Sequence, residues 1–256
     1  MTPEVSIVIP LRNEEANIEP LHDEFTTAMA KLGVPYELIL VDDGSADGTF
    51  TKLGEIYARD PHVRVIQFTR NFGQTAAFAA GFAHARGGFI VTADGDLQND
   101  PADIGRLLEL ARTHDIVCGW RKDRKDDVLT RHVPSVIANW LLRVVTGLRI
   151  HDNGCSLKVF RAEVIKPLRL RPGMHRYLPA LASQLGGRVT EVVVNHRARR
   201  FGESKYGLSR TFAVARDIWQ LPRLMRESVS PSLPVPQIYE IRQVLESSPP
   251  AATKST

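Results

Sequence analysis

Between residues 5 and 119, short apolar runs alternate with segments of helical periodicity, and this alternation restricts the fold more than any other feature of the chain. Residues 5–10 (VSIVIP), 37–41 (ELILV), 63–68, 89–93 and 115–119 read as buried strands. Between them, 13–31 places Ile18, Leu21, Phe25 and Met29 at helical spacing. A helix over 49–58 follows the capping candidates Ser45 and Asp47; 74–85 is a helix of small residues; 104–111 is a helix after Pro101. The alternation predicts an α/β fold, a Rossmann-like and mostly parallel sheet with helices on both faces.

Beyond residue 120 the pattern changes. Residues 121–131 form a charged loop, 133–146 a helix with Val136, Ile137, Trp140, Leu141 and Val144 on one face, and 191–196 (EVVVNH) a late strand. A further helix over 209–227 mixes Phe212, Ile218, Trp219 and Leu221 with arginines. The expected organisation is one domain over 1–227 and a Pro/Ser-rich, poorly ordered tail over 228–256, with a short helix at 238–245.

Composition narrows the function classes. Lys and Arg total 33 against 29 Asp and Glu, a net charge of +4, but the cations crowd between Arg106 and Arg226 and favour anionic partners. Aromatics are only 7 % and do not interleave with the basic residues, so no nucleic-acid stacking platform is expected. Cys118 and Cys155 are too few for a disulfide framework and read as reduced core thiols of a cytoplasmic protein. The N-terminus has no signal-peptide pattern, and no run approaches the ~18–20 apolar residues of a membrane span. The expected placement is cytoplasmic and at most peripheral on a membrane.

In open α/β sheets, ligands sit at the carboxyl ends of the parallel strands. Three polar clusters occupy such ends: Pro10-Leu11-Arg12-Asn13-Glu14, Asp42-Asp43-Gly44-Ser45 and Asp94-Gly95-Asp96-Leu97-Gln98. The last is a hard-oxygen set suited to Mg²⁺ or Mn²⁺, and it equally suits a turn after a strand. Asp42 and Asp43 suit the N–H and O–H groups of a base or ribose, or a helix cap; Glu14 suits a pocket wall or a first-turn charge. Arg70-Asn71-Phe72-Gly73 precedes a helix N-terminus, where an anion is favoured. Arg121, Lys122, Arg124, Lys125 and Arg131 form one basic loop, and Arg197, Arg199, Arg200 and Lys205 another, as phosphate forks or as solvated faces.

The ordered set SIVIPLRNEEANI, ELILVDDGSADGT, RNFGQTAAFAAGF, TADGDLQNDP, Asp152-Asn153-Gly154-Cys155-Ser156-Leu157-Lys158 and RRFGESKYG resembles family 2 glycosyltransferases. The likeness is to the dolichol-phosphate mannosyltransferase and bacterial polyprenyl-phosphate glycosyltransferase group, over residues 4 to 220. It implies a GT-A fold and inverting, metal-dependent transfer of a sugar from GDP-mannose or a UDP-sugar to a polyprenyl or dolichyl phosphate. It also implies roles: Pro10, Asn13, Glu14, Asp42, Asp43 and Asp94 line the nucleotide pocket. Asp96 and Gln98 hold Mg²⁺ or Mn²⁺, and Arg121, Arg131 and Ser135 hold the acceptor phosphate. Arg199, Ser204 and Lys205 belong to a loop closing over the diphosphate. The family's Asp-Ala-Asp is Asp-Gly-Asp here, a change at a residue that carries no ligand.

A phosphate acceptor is already largely an oxyanion at pH 7, so paired cations and a metal matter more than a general base. A transferase with a soluble acceptor is the alternative, and it needs a carboxylate base where Arg121 and Arg131 stand. A catalytic subunit with a membrane-embedded partner, or a homodimer, is also compatible with the motifs. The 209–227 and 133–146 helices suit a membrane interface, or the domain core. The sugar is not legible; His175 and Arg176 are candidates for reading it.

Overall fold

A computed structural model describes residues 2–122, 146–148, 150–198, 221–230 and 236–246. Among the described residues, eight strands form one mixed sheet in the order β7-β5-β6-β4-β1-β2-β3-β8. They are β1 (Val5–Leu11), β2 (Tyr36–Asp42), β3 (Val63–Phe68), β4 (Phe89–Thr92), β5 (Ile116–Trp120), β6 (Lys158–Arg161), β7 (Val189–Val193) and β8 (Ile241–Leu245). β3, β2, β1 and β4 run parallel, as do β5 and β7. β6 is antiparallel between β4 and β5, and β8 is antiparallel on β3.

The predicted α/β, mostly parallel GT-A architecture is present. Alternate residues of each strand enter opposite cores, as the period of two requires. Val8, Ile39, Val41, Ile66 and Phe68 face α3 (Gln74–His84) and the 174–182 segment. Ile7, Ile9, Leu38, Leu40, Val63 and Val65 face α1 (Ile18–Leu32), α2 (Thr49–Arg59) and α4 (Ile104–Ala111). Burial on both faces explains why these strands read as continuous apolar runs. α3 is built of small residues because it lies close on the sheet: a Cβ on Gly81 would stand 2.1 Å from Val8 Cγ1.

Several boundaries move. The first helix starts at Ile18, not Asn13, because Asn13 holds a left-handed φ of 53° and Glu15–Asn17 is a 3₁₀ turn. Pro20 then sits in the first turn, where no N–H is needed. The strand expected at 191–196 is Val189–Val193, and His196 makes an isolated bridge to Asn99. β6 was not anticipated, nor were the short helices α5 (Ala162–Ile165) and α6 (Leu178–Ser183). The helix expected at 238–245 is instead β8, because the edge of β3 offers unpaired backbone groups and Ile241, Val244 and Leu245 suit a strand.

The expected helix at 133–146 lies outside the described residues except for Thr146. Of the 209–227 helix, 221–228 is described and helical. There Leu221 and Met225 are buried in the core with α3, which favours packing over a membrane face for this part. Among the described residues no helix is long and apolar enough to cross a membrane.

Candidate active site

The three predicted polar clusters converge at the carboxyl ends of β1, β2 and β4, neighbours in the sheet. β1 and β2 pair through Leu11 and Asp42, and the Asp43 N–H donates to Leu11 O at 2.9 Å. Past that pair the two loops interlock. Asn13 N–H donates to Ser45 Oγ (3.0 Å), while Asn13 Oδ1 accepts from the Ala46 N–H (2.8 Å). Glu14 N–H donates to Thr49 Oγ1 at 2.9 Å, and Glu14 Oε2 accepts from Asn17 Nδ2 at 2.5 Å. Asn13 tolerates its left-handed backbone because Asn does so more readily than most residues. The lip formed by Asn13, Glu14, Asn17, Asp47 and Lys52 borders an open surface cleft.

Asp43 ties this edge to the loop before α3. Its carboxylate accepts the N–H of Phe72 (2.7 Å) and Gly73 (2.9 Å) at the start of α3. The anion favoured at the Arg70–Gly73 helix N-terminus is therefore internal: it is Asp43. Burial pushes the Asp43 carboxyl above its usual range; the two N–H bonds and Arg12 pull the other way. Gly44 makes the approach feasible, with φ of 63° and a would-be Cβ only 2.4 Å from Arg70 C. Asp42 accepts the Ser45 N–H at 3.0 Å, and its Oδ2 is buried without a hydrogen-bond partner among the described residues.

At the end of β4, Leu97 holds φ of 62° although it is buried, so the Asp-Gly-Asp-Leu-Gln turn is anchored by an apolar side chain in strained backbone. Asp94 Oδ1 accepts from Gln74 Nε2 (2.7 Å), and Asp94 N–H donates to Asn99 Oδ1 (2.9 Å), which also accepts from Ser156 Oγ. Burial and the neighbouring Asp96 carboxylate push the Asp94 carboxyl up, against a hydrogen bond from Ser156 and the charges of Arg121 and Lys158. Asp96 Oδ1 accepts the Gln98 N–H at 3.2 Å.

Gln98 joins this turn to the second basic segment. Its Nε2 donates to Arg197 O (3.3 Å), and Arg197 N–H donates to Gln98 O (3.0 Å). The Arg197 guanidinium is in turn held by Glu24 and Asp100, at 2.6 and 2.7 Å. With Nε2 so occupied, Oε1 of Gln98 remains the acceptor end of the amide. Asp96 and Gln98 thus fit a hard divalent cation as two oxygen donors. Among the described residues no group of three or more His, Cys, Asp or Glu is placed to hold a metal.

Arg121, at the end of β5, forks onto Asp152 with Nε–Oδ2 2.7 Å and Nη2–Oδ1 3.0 Å. Despite burial, Asp152 holds the guanidinium further into its charged range. The Asp152 turn is fixed by Lys158, a buried ammonium that donates to Asn153 O and Cys155 O. Glu191 accepts the N–H groups of His151 and Asp152. The His175 ring lies against Thr75 Oγ1 at 2.8 Å, one residue along from the Gln74 that donates to Asp94. Cys118 and Cys155 are buried free thiols, and burial pushes Cys118 up to about 12.

Of the expected site residues, Pro10, Asn13, Glu14, Asp42, Asp43, Asp94, Asp96, Gln98 and Arg121 are described and lie at this sheet edge. Arg131, Ser135, Arg199, Ser204 and Lys205 lie outside the described residues. Gln74, Asn99, Asp152 and Ser156 were missed as partners. Their only sequence signal is membership of the motif segments, because each acts through a neighbour many residues away.

The family model described as glycosyl transferase family 2 matches residues 6–169. The chain is 45 % identical over 233 residues to a dodecaprenyl-phosphate galacturonate synthase of Rhizobium johnstonii, covering 89 % of this chain and 69 % of that protein. It is 38 % identical over 216 residues to an undecaprenyl-phosphate 4-deoxy-4-formamido-L-arabinose transferase of Yersinia pestis, covering 84 % and 66 %. The chain thus spans about two thirds of the length of these curated relatives. Glucosyl-3-phosphoglycerate synthase from Mycobacterium tuberculosis, solved with Mn²⁺, UDP and phosphoglyceric acid, shares the fold at a TM-score of 0.68 and 22 % identity, over 87 % of this chain and 78 % of that one. A GT-A sheet, its acidic turn at the end of β4 and the match over residues 6–169 place this chain in glycosyltransferase family 2.

Proposed function

We propose that the chain transfers a sugar, with inversion, from a nucleotide-sugar to a polyprenyl phosphate in a reaction that depends on Mn²⁺ or Mg²⁺. One observation carries the reading. The Asp96–Gln98 turn is hydrogen-bonded through Gln98 to Arg197, at the root of the basic 199–205 segment, beside the Asp42 and Asn13 loops. Oxygen donors for a cation therefore stand next to Arg197, from which the sequence runs on into the basic residues expected to meet a diphosphate. The names of the two bacterial relatives supply the acceptor class.

The residues divide the work by charge. Asn13, Glu14, Asp42 and the Asp43-anchored loop form the nucleoside wall. Asp96 and Gln98 hold the cation, which, when bound, neutralises the departing nucleoside diphosphate. Arg199, Ser204 and Lys205 close on that diphosphate; Arg121, Arg131 and Ser135 orient the acceptor phosphate, whose oxyanion needs no dedicated base. Asp152 occupies one edge of the Arg121 fork, fixing its plane and leaving the remaining N–H groups for an anion. The acceptor is a lipid, so the enzyme works peripherally at the cytoplasmic membrane face, with a membrane-embedded partner or a second copy assisting access.

A thermal-shift screen of UDP- and GDP-sugars with Mn²⁺ tests the donor. Ligand at about 100 times its Kd stabilises by about 2.7 kcal/mol, a rise in Tm of about 5–10 °C for a chain of this size. A screen in which no nucleotide-sugar shifts Tm sinks the reading.

Arg121→Lys tests the fork. It keeps the charge and loses bidentate geometry, so acceptor KM should rise about tenfold or more, with donor binding unchanged. Equal acceptor KM removes Arg121 from that role.

A further inference from the structure

β8 reaches the donor end of the sheet through a chain of aromatic contacts. Its register on β3 pairs Val65 with Leu245, Ile66 with Val244 and Gln67 with Gln243, then shifts between Gln67 and Phe68. Such an irregularity re-aims the strand that follows it. Beyond the shift, Thr69 N–H donates to Glu240 O (3.1 Å) and Arg242 Nη2 donates to Thr69 O (3.2 Å). Both backbone polar groups of Thr69 are thus held from the C-terminal segment.

The Tyr239 ring stacks on Phe68 with centroids 5.3 Å apart and planes within 7°. Phe68 meets Phe72 edge-on at 5.7 Å, and Arg70 lies over the Phe72 ring at 4.0 Å. The Phe72 and Gly73 N–H groups are those that hold Asp43. Tyr239 is therefore two ring contacts from the carboxylate that shapes the nucleoside wall.

We propose that residues 239–242 act as a positioning strap for the donor pocket, holding the turn at 69–73 so that its N–H groups fix Asp43. The inference rests on the reading of that wall as the nucleotide site. A loosened turn binds donor only in the fraction of molecules where it is correctly formed, so apparent affinity falls by that fraction while turnover of bound donor stays the same. The far end of β8 serves a different purpose: Arg64, buried on β3, pairs with Glu246 and fastens the strand at the opposite sheet edge.

The test uses the full chain and whichever of UDP or GDP binds the wild type with Mn²⁺. Loss of a stacked ring is worth about a three- to tenfold change in an equilibrium. Tyr239→Ala should weaken the nucleoside diphosphate Kd and raise donor KM by that factor, with kcat at saturating donor unchanged. Hydrogen exchange at the Phe72 and Gly73 amides should accelerate in parallel. Tyr239→Phe, which keeps the ring, should restore all three; Tyr239→Leu, which keeps apolar cover without the ring, should not, and replaces the alanine variant if that does not fold.

Gln243→Ala is the control on the same strand, since Gln243 Nε2 touches only the Gln67 side chain among the described contacts, at 3.1 Å. It should lower Tm slightly and leave Kd alone. Unchanged Kd and exchange in both Tyr239→Ala and Tyr239→Leu, or an equal loss in Gln243→Ala, overturns the strap. Failure of the wild type to bind either nucleotide overturns the nucleotide-site reading instead.

Discussion

Asp96→Ala should cost about 10²–10³-fold in metal-dependent transfer while the chain still folds. Asp96 is partly exposed in a turn whose shape is set by other groups. Leu97 anchors it in the core, Asn99 ties Asp94 to Ser156, and Gln98 is locked to Arg197. Removing the Asp96 carboxylate deletes a charge from the cation site and little packing. Asp96→Asn sharpens the test, because its Oδ1 still accepts the Gln98 N–H and only the charge is lost. Both variants should keep the wild-type Tm without cation and should bind Mn²⁺ with nucleoside diphosphate more weakly by calorimetry. Wild-type Mn²⁺ affinity in Asp96→Ala would show that the cation is held elsewhere.

The sheet and its polar edge were legible because they depend on patterns within single segments. Val5 to Leu11 and Leu38 to Val41 advertise strands buried on both faces, and the residues after them are where a parallel sheet presents ligand groups. What the sequence hid depends on pairs. Asp43 reads as a ligand carboxylate, yet the N–H groups that claim it lie 29 and 30 residues on, beyond a strand. Arg121 reads as a free phosphate fork until Asp152 arrives 31 residues later. β6 was missed because a four-residue strand carrying Lys158 and Arg161 has the composition of a surface loop, and the carbonyls that make a buried Lys158 tolerable lie on the preceding turn. β8 was mistaken for a helix because Ile238, Ile241, Val244 and Leu245 satisfy a helical period. Only the open edge of β3 decides between the two.

The largest stability effect should come from Glu37, at the opposite end of β2 from Asp42, about 17 Å along the strand. Its carboxylate is 2 % exposed and accepts from Ser6 Oγ (2.6 Å), Arg86 N–H (2.6 Å), Arg86 Nε (2.9 Å) and Arg64 Nη1 (3.1 Å). Arg64 is itself buried, so Glu37→Ala leaves a guanidinium short of a partner and the Arg86 N–H with only its longer bond to Ser6 Oγ at 3.2 Å. Breaking one side of a buried pair costs about 3–5 kcal/mol, or about 6–20 °C in Tm at this chain length. Burial alone would raise the Glu37 carboxyl, but the Ser6 and Arg86 hydrogen bonds and the Arg64 charge outweigh it and hold the group below its ordinary 4.5. A carboxyl depressed in the folded state contributes stability above its unfolded pKa and loses it as pH falls through the folded one. Wild-type unfolding free energy should therefore decline below about pH 4.5, and Glu37→Gln should decline less steeply there. The slope will not vanish, because Asp60, Asp115 and Glu246 are held low by their own partners. Nucleotide affinity per folded molecule should stay at the wild-type value in both variants at pH 7, since the pair lies at the far sheet edge. A Glu37→Ala Tm within 2 °C of wild type, or an unchanged acid limb in Glu37→Gln, would remove Glu37 as the anchor of the Arg64–Arg86 cluster.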